Sequence, residues 1–352
     1  MRLIKLAVIL LIALCWLVGC KGKTAELPPQ AEVTVEELEE PEPEAETAQI
    51  TSAGQQSAAA SQSAQVSHQA QRSMQDIRRA LSGKLPAFGV NFSEIDPINY
   101  ENPDIDVLRQ MGADQFIISY FTGEQFYRAG NYDKALAEYT VSINNNSEFI
   151  EALFSRGNAW LKKGEYGRAI EDYTRAIKLD SSRAELYNYR GFARAERRET
   201  QLAIEDFSRA IAINANYTDA LINRSQALYE IGDYDRAIED CTKIIRLEPK
   251  NASVWNRRGS AWYRKEDDDK AISDFSEAIK LKSDYALAWH NRGNAWYSKG
   301  QFDKALADLN TTLSINPSYA SAYTSRANIL RLLGNNESAA ADLATAQRLE
   351  KR

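Results

Sequence analysis

Histidine and cysteine are nearly missing from this chain: two of one and three of the other among 352 residues. His68 lies in a Ser/Gln tract, and His290 has no second imidazole or thiolate with which to complete a metal site. A glycine-rich phosphate cradle is missing too, as is any nucleophile paired with a base. The acidic run Glu266-Asp267-Asp268-Asp269 lacks the spacing of a calcium loop and reads as a solvated turn. The expectation is a chain with no metal, no cofactor and no catalytic residue. Excess positive charge is the next absence. The net charge is −6; four cations (Arg2, Lys5, Lys21, Lys23) open the chain and nine glutamates follow, which leaves the remainder close to neutral. Nucleic-acid binding needs a basic footprint that releases counterions, and the sequence offers none.

From Thr24 to Gln71 lysine and arginine disappear entirely, while glutamate, proline, serine, alanine and glutamine dominate. Such a segment cannot bury enough apolar surface to offset its ordering entropy. Residues 20–71 are therefore expected to form a flexible, self-repelling tether. Ahead of it, MRLIKLAVILLIALCWLVGC has a positive start and an apolar run, Leu6 to Val18, too short to span a bilayer comfortably. Its ending, Leu17-Val18-Gly19-Cys20, resembles the lipobox of bacterial lipoproteins. That resemblance implies a cleaved signal peptide, residues 1–19, and a mature chain whose Cys20 carries lipid on its sulfur and amino group. The protein would then be anchored to a membrane of the bacterial envelope without spanning it. Lys21, instead of an aspartate that resembles an inner-membrane retention signal, points to the periplasmic side of the outer membrane. Cys15 would leave with the signal peptide and Cys20 would be lipidated, so Cys241 would have no disulfide partner. Residues 72–115 are the least readable; MQDIRRALSG and PDIDVLRQMG are candidate short helices, the second opened by Asn102-Pro103.

The remainder is periodic. NRGNAWYSKGQFDKALADLN at 291 has relatives at 155, 189, 223 and 257, with fainter copies from Phe121 and Ser325, so residues 116–352 divide into seven units of 34 residues. A self-similarity of that length is the mark of a helix-turn-helix solenoid. Counting each unit from Phe116, Ile150, Ala184, Thr218, Ala252, Ala286 and Ala320, positions 4, 8 and 11 form the buried stripe of a first helix, as in Trp289, Gly293 and Trp296. Positions 17, 20, 24 and 27 do the same for a second helix, as in Tyr166, Ala169, Tyr173 and Ala176. Alanine fills position 20 in every unit, which lets the two helices approach closely. Glycine at position 15 turns the chain in five units, whereas Arg198 and Glu266 stand there in units 3 and 5, where an altered turn is expected.

This pattern resembles the tetratricopeptide repeat family over about two thirds of the chain. The resemblance implies an all-α, right-handed solenoid. Arginine recurs at position 7 from Arg156 to Arg326 and an acid at position 23 from Glu138 to Asp342, so the two columns are expected to pair, within a unit or across a junction. Cys241 takes the place of an aromatic or leucine at position 24 and reads as a packing residue. In proteins resembling this one, positions 2, 5, 6, 9, 12 and 13 line a concave groove. Here that yields Asn188, Tyr189, Phe192, Asn223, Gln226, Tyr229, Asn256, Arg257, Tyr263, His290, Asn291, Asn294 and Tyr297, amides and tyrosines suited to a peptide backbone and its side chains. The carboxylate clamp of one subclass is not reproduced, because Asn188 and Ser253 stand where it needs lysines. AAADLATAQRLEKR is expected to be its own cap or a contact surface. The reading is a membrane-tethered scaffold for protein or peptide partners in the envelope. Its rival is a small-ligand-binding accessory of a transporter, and a closed apolar cavity would favour that rival.

Overall fold

The computed structural model describes residues 105–110 and 112–351. The signal peptide, Cys20, the tether and the segment up to residue 104 lie outside them. A short helix α1 (Ile105–Gln110) precedes seven helix pairs. The first helices are α2 (Gln115–Arg128), α4 (Ile150–Lys162), α6 (Ala184–Glu196), α8 (Thr218–Glu230), α10 (Ala252–Arg264), α12 (Ala286–Ser298) and α14 (Ala320–Leu332). The second helices are α3 (Tyr132–Asn145), α5 (Tyr166–Leu179), α7 (Thr200–Ile213), α9 (Tyr234–Leu247), α11 (Asp268–Leu281), α13 (Phe302–Ile315) and α15 (Asn336–Glu350). Each first helix packs on its own second helix, and each second helix on the next first helix, which gives the seven-unit α-solenoid. Among the described residues, no helix is long and apolar enough to cross a membrane. At the start, α1 lays Leu108 against Ile117, Ile118 and Phe121 of α2 and so covers part of the first unit.

Within a pair, the close approach is set by position 20. Ala135, Ala169, Ala203, Ala237, Ala271, Ala305 and Ala339 are all buried. Beside them, position 8 and position 24 divide a fixed volume. A Cβ on Gly157 would stand 2.6 Å from the Tyr173 ring, and one on Gly191 or Gly259 would stand 2.7 Å from the rings of Phe207 or Phe275. In two of the three units where position 24 is smaller, position 8 is larger: Ser225 faces Cys241, and Ala327 occurs with Leu343, whereas Leu309 keeps Gly293, whose Cβ would stand 3.2 Å from it. The Trp column expected to be core is partly buried, with Trp160, Trp262 and Trp296 packed against the apolar clusters between helices.

The turns correct one expectation. Arg198 and Glu266 do not alter the turn; they adopt the same left-handed backbone as the glycines, φ 63° and 62° against 74° at Gly164. The closing hydrogen bonds are the same as well: Glu199 N donates to Arg194 O at 2.9 Å, as Glu165 N donates to Trp160 O at 2.9 Å. Satisfying the last carbonyls of the first helix outweighs the steric cost, about 1–2 kcal/mol, of a Cβ in that region. Arg198→Gly should therefore raise unfolding free energy by about 0.5–1 kcal/mol, after the extra unfolded-state entropy of glycine is subtracted. Urea denaturation measures it, and a loss of stability would contradict the strain.

Candidate functional site

Consecutive first helices touch at the junctions of units 1–2, 2–3, 3–4, 5–6 and 6–7, closer than consecutive second helices come. The first helices therefore form the inner wall of the array, and the wall is held together from two directions.

Beneath it runs the arginine column. Nε and Nη2 of Arg156 donate to both carboxylate oxygens of Asp172 at 2.8 and 2.7 Å. The same fork joins Arg190 to Asp206, Arg224 to Asp240, Arg258 to Asp274, Arg292 to Asp308 and Arg326 to Asp342. Pairing is thus within the unit. The remaining Nη1 reaches back across the junction to position 25 of the preceding unit: Thr140, Thr174, Ser208, Thr242, Ser276 and Asn310. Each guanidinium also lies over the position-4 ring where that residue is aromatic, 4.8 Å from the Trp289 centroid for Arg292. One side chain thereby ties two helices of its own unit to the unit before it. The outer sequence ends of the column agree: Thr122 replaces arginine in unit 1, and Ala344 replaces the acceptor in unit 7. Sequence reasoning overlooked the position-25 acceptors, although their column of Thr, Ser and Asn was visible.

On the wall itself, positions 5 and 6 form a second ladder. Asn223 Nδ2 donates to Asn188 Oδ1 at 3.0 Å, and Asn291 Nδ2 to Asn256 Oδ1 at 3.1 Å. His290 Nε2 and Ser325 Oγ share a hydrogen bond at 3.2 Å. Where Ile222 interrupts the pattern, Arg257 instead donates to Gln226 Oε1. Tyr263 and Ser298 hydroxyls hydrogen-bond at 3.2 Å further along.

These contacts sort the expected groove residues. Asn188, Asn256 and His290 are buried, and each hydrogen-bonds the neighbouring unit through one polar atom, so they support the wall from within. Tyr189, Phe192, Asn223, Gln226, Tyr229, Arg257, Tyr263, Asn291 and Asn294 are half-buried along its surface, and Tyr297 is exposed. The structure brings them together as one face. A separate hollow at the first turn, lined by Gly130, Asn131, Asp133 and Lys163 among others, is polar and open.

Burial decides the state of the two groups with potential reactivity. It pushes the Cys241 thiol up to about 11, which keeps it protonated. It pulls the His290 imidazole down to about 4, so the ring is neutral at pH 7. An unfolded histidine titrates near 6.5; the unfolded chain therefore binds the extra proton first, and this contribution to stability is lost as pH falls from about 6.5 to about 4. Over that window the loss amounts to about 3 kcal/mol. His290→Asn should flatten that part of the pH dependence in urea melts; a slope identical to wild type would contradict it. Among the described residues, no group of three or more His, Cys, Asp or Glu is arranged to hold a metal.

Residues 157–197, 222–286 and 286–319 match family profiles described as TPR repeat or tetratricopeptide repeat. The comparison with curated protein sequences found no match. Among solved structures, a tetratricopeptide repeat protein from Parabacteroides merdae is 18% identical, aligns over 67% of this chain and 93% of its own, and gives a TM-score of 0.55. The C-terminal part of a TPR repeat-containing protein from Cytophaga hutchinsonii is 16% identical over 66% of this chain and 95% of its own, with a TM-score of 0.57. A chain of the APC/C hetero-tetramer Cut9–Hcn1 is 18% identical over 64% of this chain and 45% of its own, with a TM-score of 0.50. The three matched segments are similar to tetratricopeptide repeats, and the array they belong to has the right-handed tetratricopeptide solenoid fold.

Proposed function

We propose that this protein is a scaffold whose first-helix wall binds protein or peptide partners and helps assemble complexes in a bacterial envelope, held at the membrane by lipid on Cys20. The observation that carries the binding reading is the wall itself. One polar ladder fixes it from below and a second runs along it, while amides, tyrosines and Arg257 line its surface. Such a preformed surface loses little entropy on binding an extended chain. Binding is favoured over catalysis because His290 and Cys241 are both buried. The open hollow at the first turn gives no support to an enclosed small-molecule site.

Crosslinking in intact cells followed by mass spectrometry tests the wall. Asn294→Ala/Tyr297→Ala should abolish specific adducts without lowering the melting temperature, and an unchanged adduct set would reject the site. For the anchor, the support is the Leu17-Val18-Gly19-Cys20 ending and the apolar run before it. Cys20→Ser should move the protein from the membrane fraction to the soluble one; retention in the membrane fraction would reject lipidation.

A further inference from the structure

The charge along the wall is uneven. Position 2 holds Glu151, Glu185 and Asp219 in units 2, 3 and 4, whereas units 5 to 7 carry no carboxylate at any wall position. One guanidinium stands among these acids. Arg183, at the N-terminus of α6, donates through Nε to Glu185 at 2.8 Å and through Nη1 to Glu151 at 3.1 Å. It is only 4% exposed, and its third nitrogen, Nη2, lies buried beside the two carboxylates with no acceptor. A buried N–H without a partner is costly, and here it lacks a carbonyl-type oxygen. Alongside, Tyr189 packs edge-on against Phe154 with ring centroids 5.1 Å apart, which gives the same stretch an aromatic surface.

We propose that units 2 to 4 of the wall bind an extended, basic peptide segment, its lysine or arginine side chains paired with Glu185 and Asp219 and a backbone carbonyl accepting from Arg183. This rests on the reading of the wall as a peptide-binding surface and names the chemistry of the partner. Both halves of the site are needed to select a peptide: the carboxylates and ring faces suit a cation, and the unpartnered N–H suits the main-chain oxygen beside it. Spacing narrows the class further. Helices in contact lie about 8–10 Å apart, and an extended or polyproline-type chain advances about 3.1–3.4 Å per residue. Basic residues at every third position therefore meet carboxylates on successive units.

Titration of the protein with labelled peptides tests this. The probes are Ac-(Lys-Ser-Pro)4-amide, its glutamate counterpart, and a lysine peptide of equal composition with the lysines grouped at one end. The spaced lysine peptide should bind at least tenfold tighter than either other probe, and its affinity should fall with added salt. Glu185→Gln/Asp219→Asn should weaken it at least tenfold, while Glu205→Gln/Glu239→Gln, exposed on the second helices and a control of equal charge change, should leave it unaltered; melts of each variant verify the fold. Equal or tighter binding of the glutamate peptide, indifference to the double substitution, or no binding of the spaced lysine peptide would each overturn the proposal. If that happens while Asn294→Ala/Tyr297→Ala still abolishes cellular adducts, the wall remains a partner site and only its preference for basic segments is lost.

Discussion

Arg224→Ala should destabilise the array by about 3–5 kcal/mol, the cost of breaking a largely buried ion pair from one side. Three hydrogen bonds disappear with the guanidinium: two to Asp240, at 2.8 and 2.7 Å, and one to Ser208 across the junction, at 3.0 Å. Asp240 is left 4% exposed without its counter-ion, and desolvation of that stranded carboxylate supplies most of the loss. Because the bond to Ser208 joins units 3 and 4, the effect should be local as well as large. In a one-dimensional array, weakening one interface uncouples its two sides. Equilibrium urea unfolding should therefore broaden or split into two steps, and hydrogen exchange should rise around that junction first. Ser208→Ala, which removes only the crossing bond, should cost about 1 kcal/mol. An Arg224→Ala variant as stable as wild type would mean that these side chains are simply solvated.

Cys241→Phe should cost about 2–3 kcal/mol, even though phenylalanine is what units 3 and 5 carry at the same position. The reason is the residue opposite. In units 3 and 5 the Phe207 and Phe275 rings lie where a Cβ on Gly191 or Gly259 would stand, 2.7 Å away. Unit 4 has Ser225 there, fully buried, with its hydroxyl donating to Ile222 O at 2.8 Å. A ring in place of the Cys241 thiol meets that side chain in a close-packed interior. Ser225→Gly/Cys241→Phe should recover most of the loss, with a coupling energy of about 1–2 kcal/mol in the double-mutant cycle. Additive effects would show that the two positions do not share one volume. The same trade limits Gly157→Ala. The added methyl gains up to about 1 kcal/mol of helix propensity, but it meets the Tyr173 ring, which its hydroxyl pins by donating to Asn158 Oδ1 at 2.6 Å.

Both effects explain what the sequence revealed and what it concealed. A 34-residue period fixes helix number, unit boundaries and the buried stripes, because every unit presents the same pattern to its neighbours. The size exchange between positions 8 and 24 was also written in the sequence, as Gly with Tyr or Phe, Ser225 with Cys241, and Ala327 with Leu343, with Gly293 opposite Leu309 as the exception. The direction of Arg–Asp pairing was not legible, since helical angles place a residue on its own helix and say nothing of where the next unit lies. For that reason Asn188, Asn256 and His290 were counted on the groove surface, although the adjacent first helix covers them. Arg198 and Glu266 suggested a changed turn because propensity favours glycine there; the hydrogen bonds that close the helix proved stronger than that preference. Arg183 gave no hint of its setting, as it lies outside the positions that the periodic pattern singles out.

The wall's role as the contact surface is open to direct measurement in living cells. A photo-crosslinking amino acid can be placed at Phe192 or Asn294 on the first helices, and at Glu205 or Glu239, exposed on the second helices. Partner adducts should form from Phe192 and Asn294 and not from Glu205 and Glu239. Adducts confined to Glu205 and Glu239 would contradict the account and move partner binding to the opposite face.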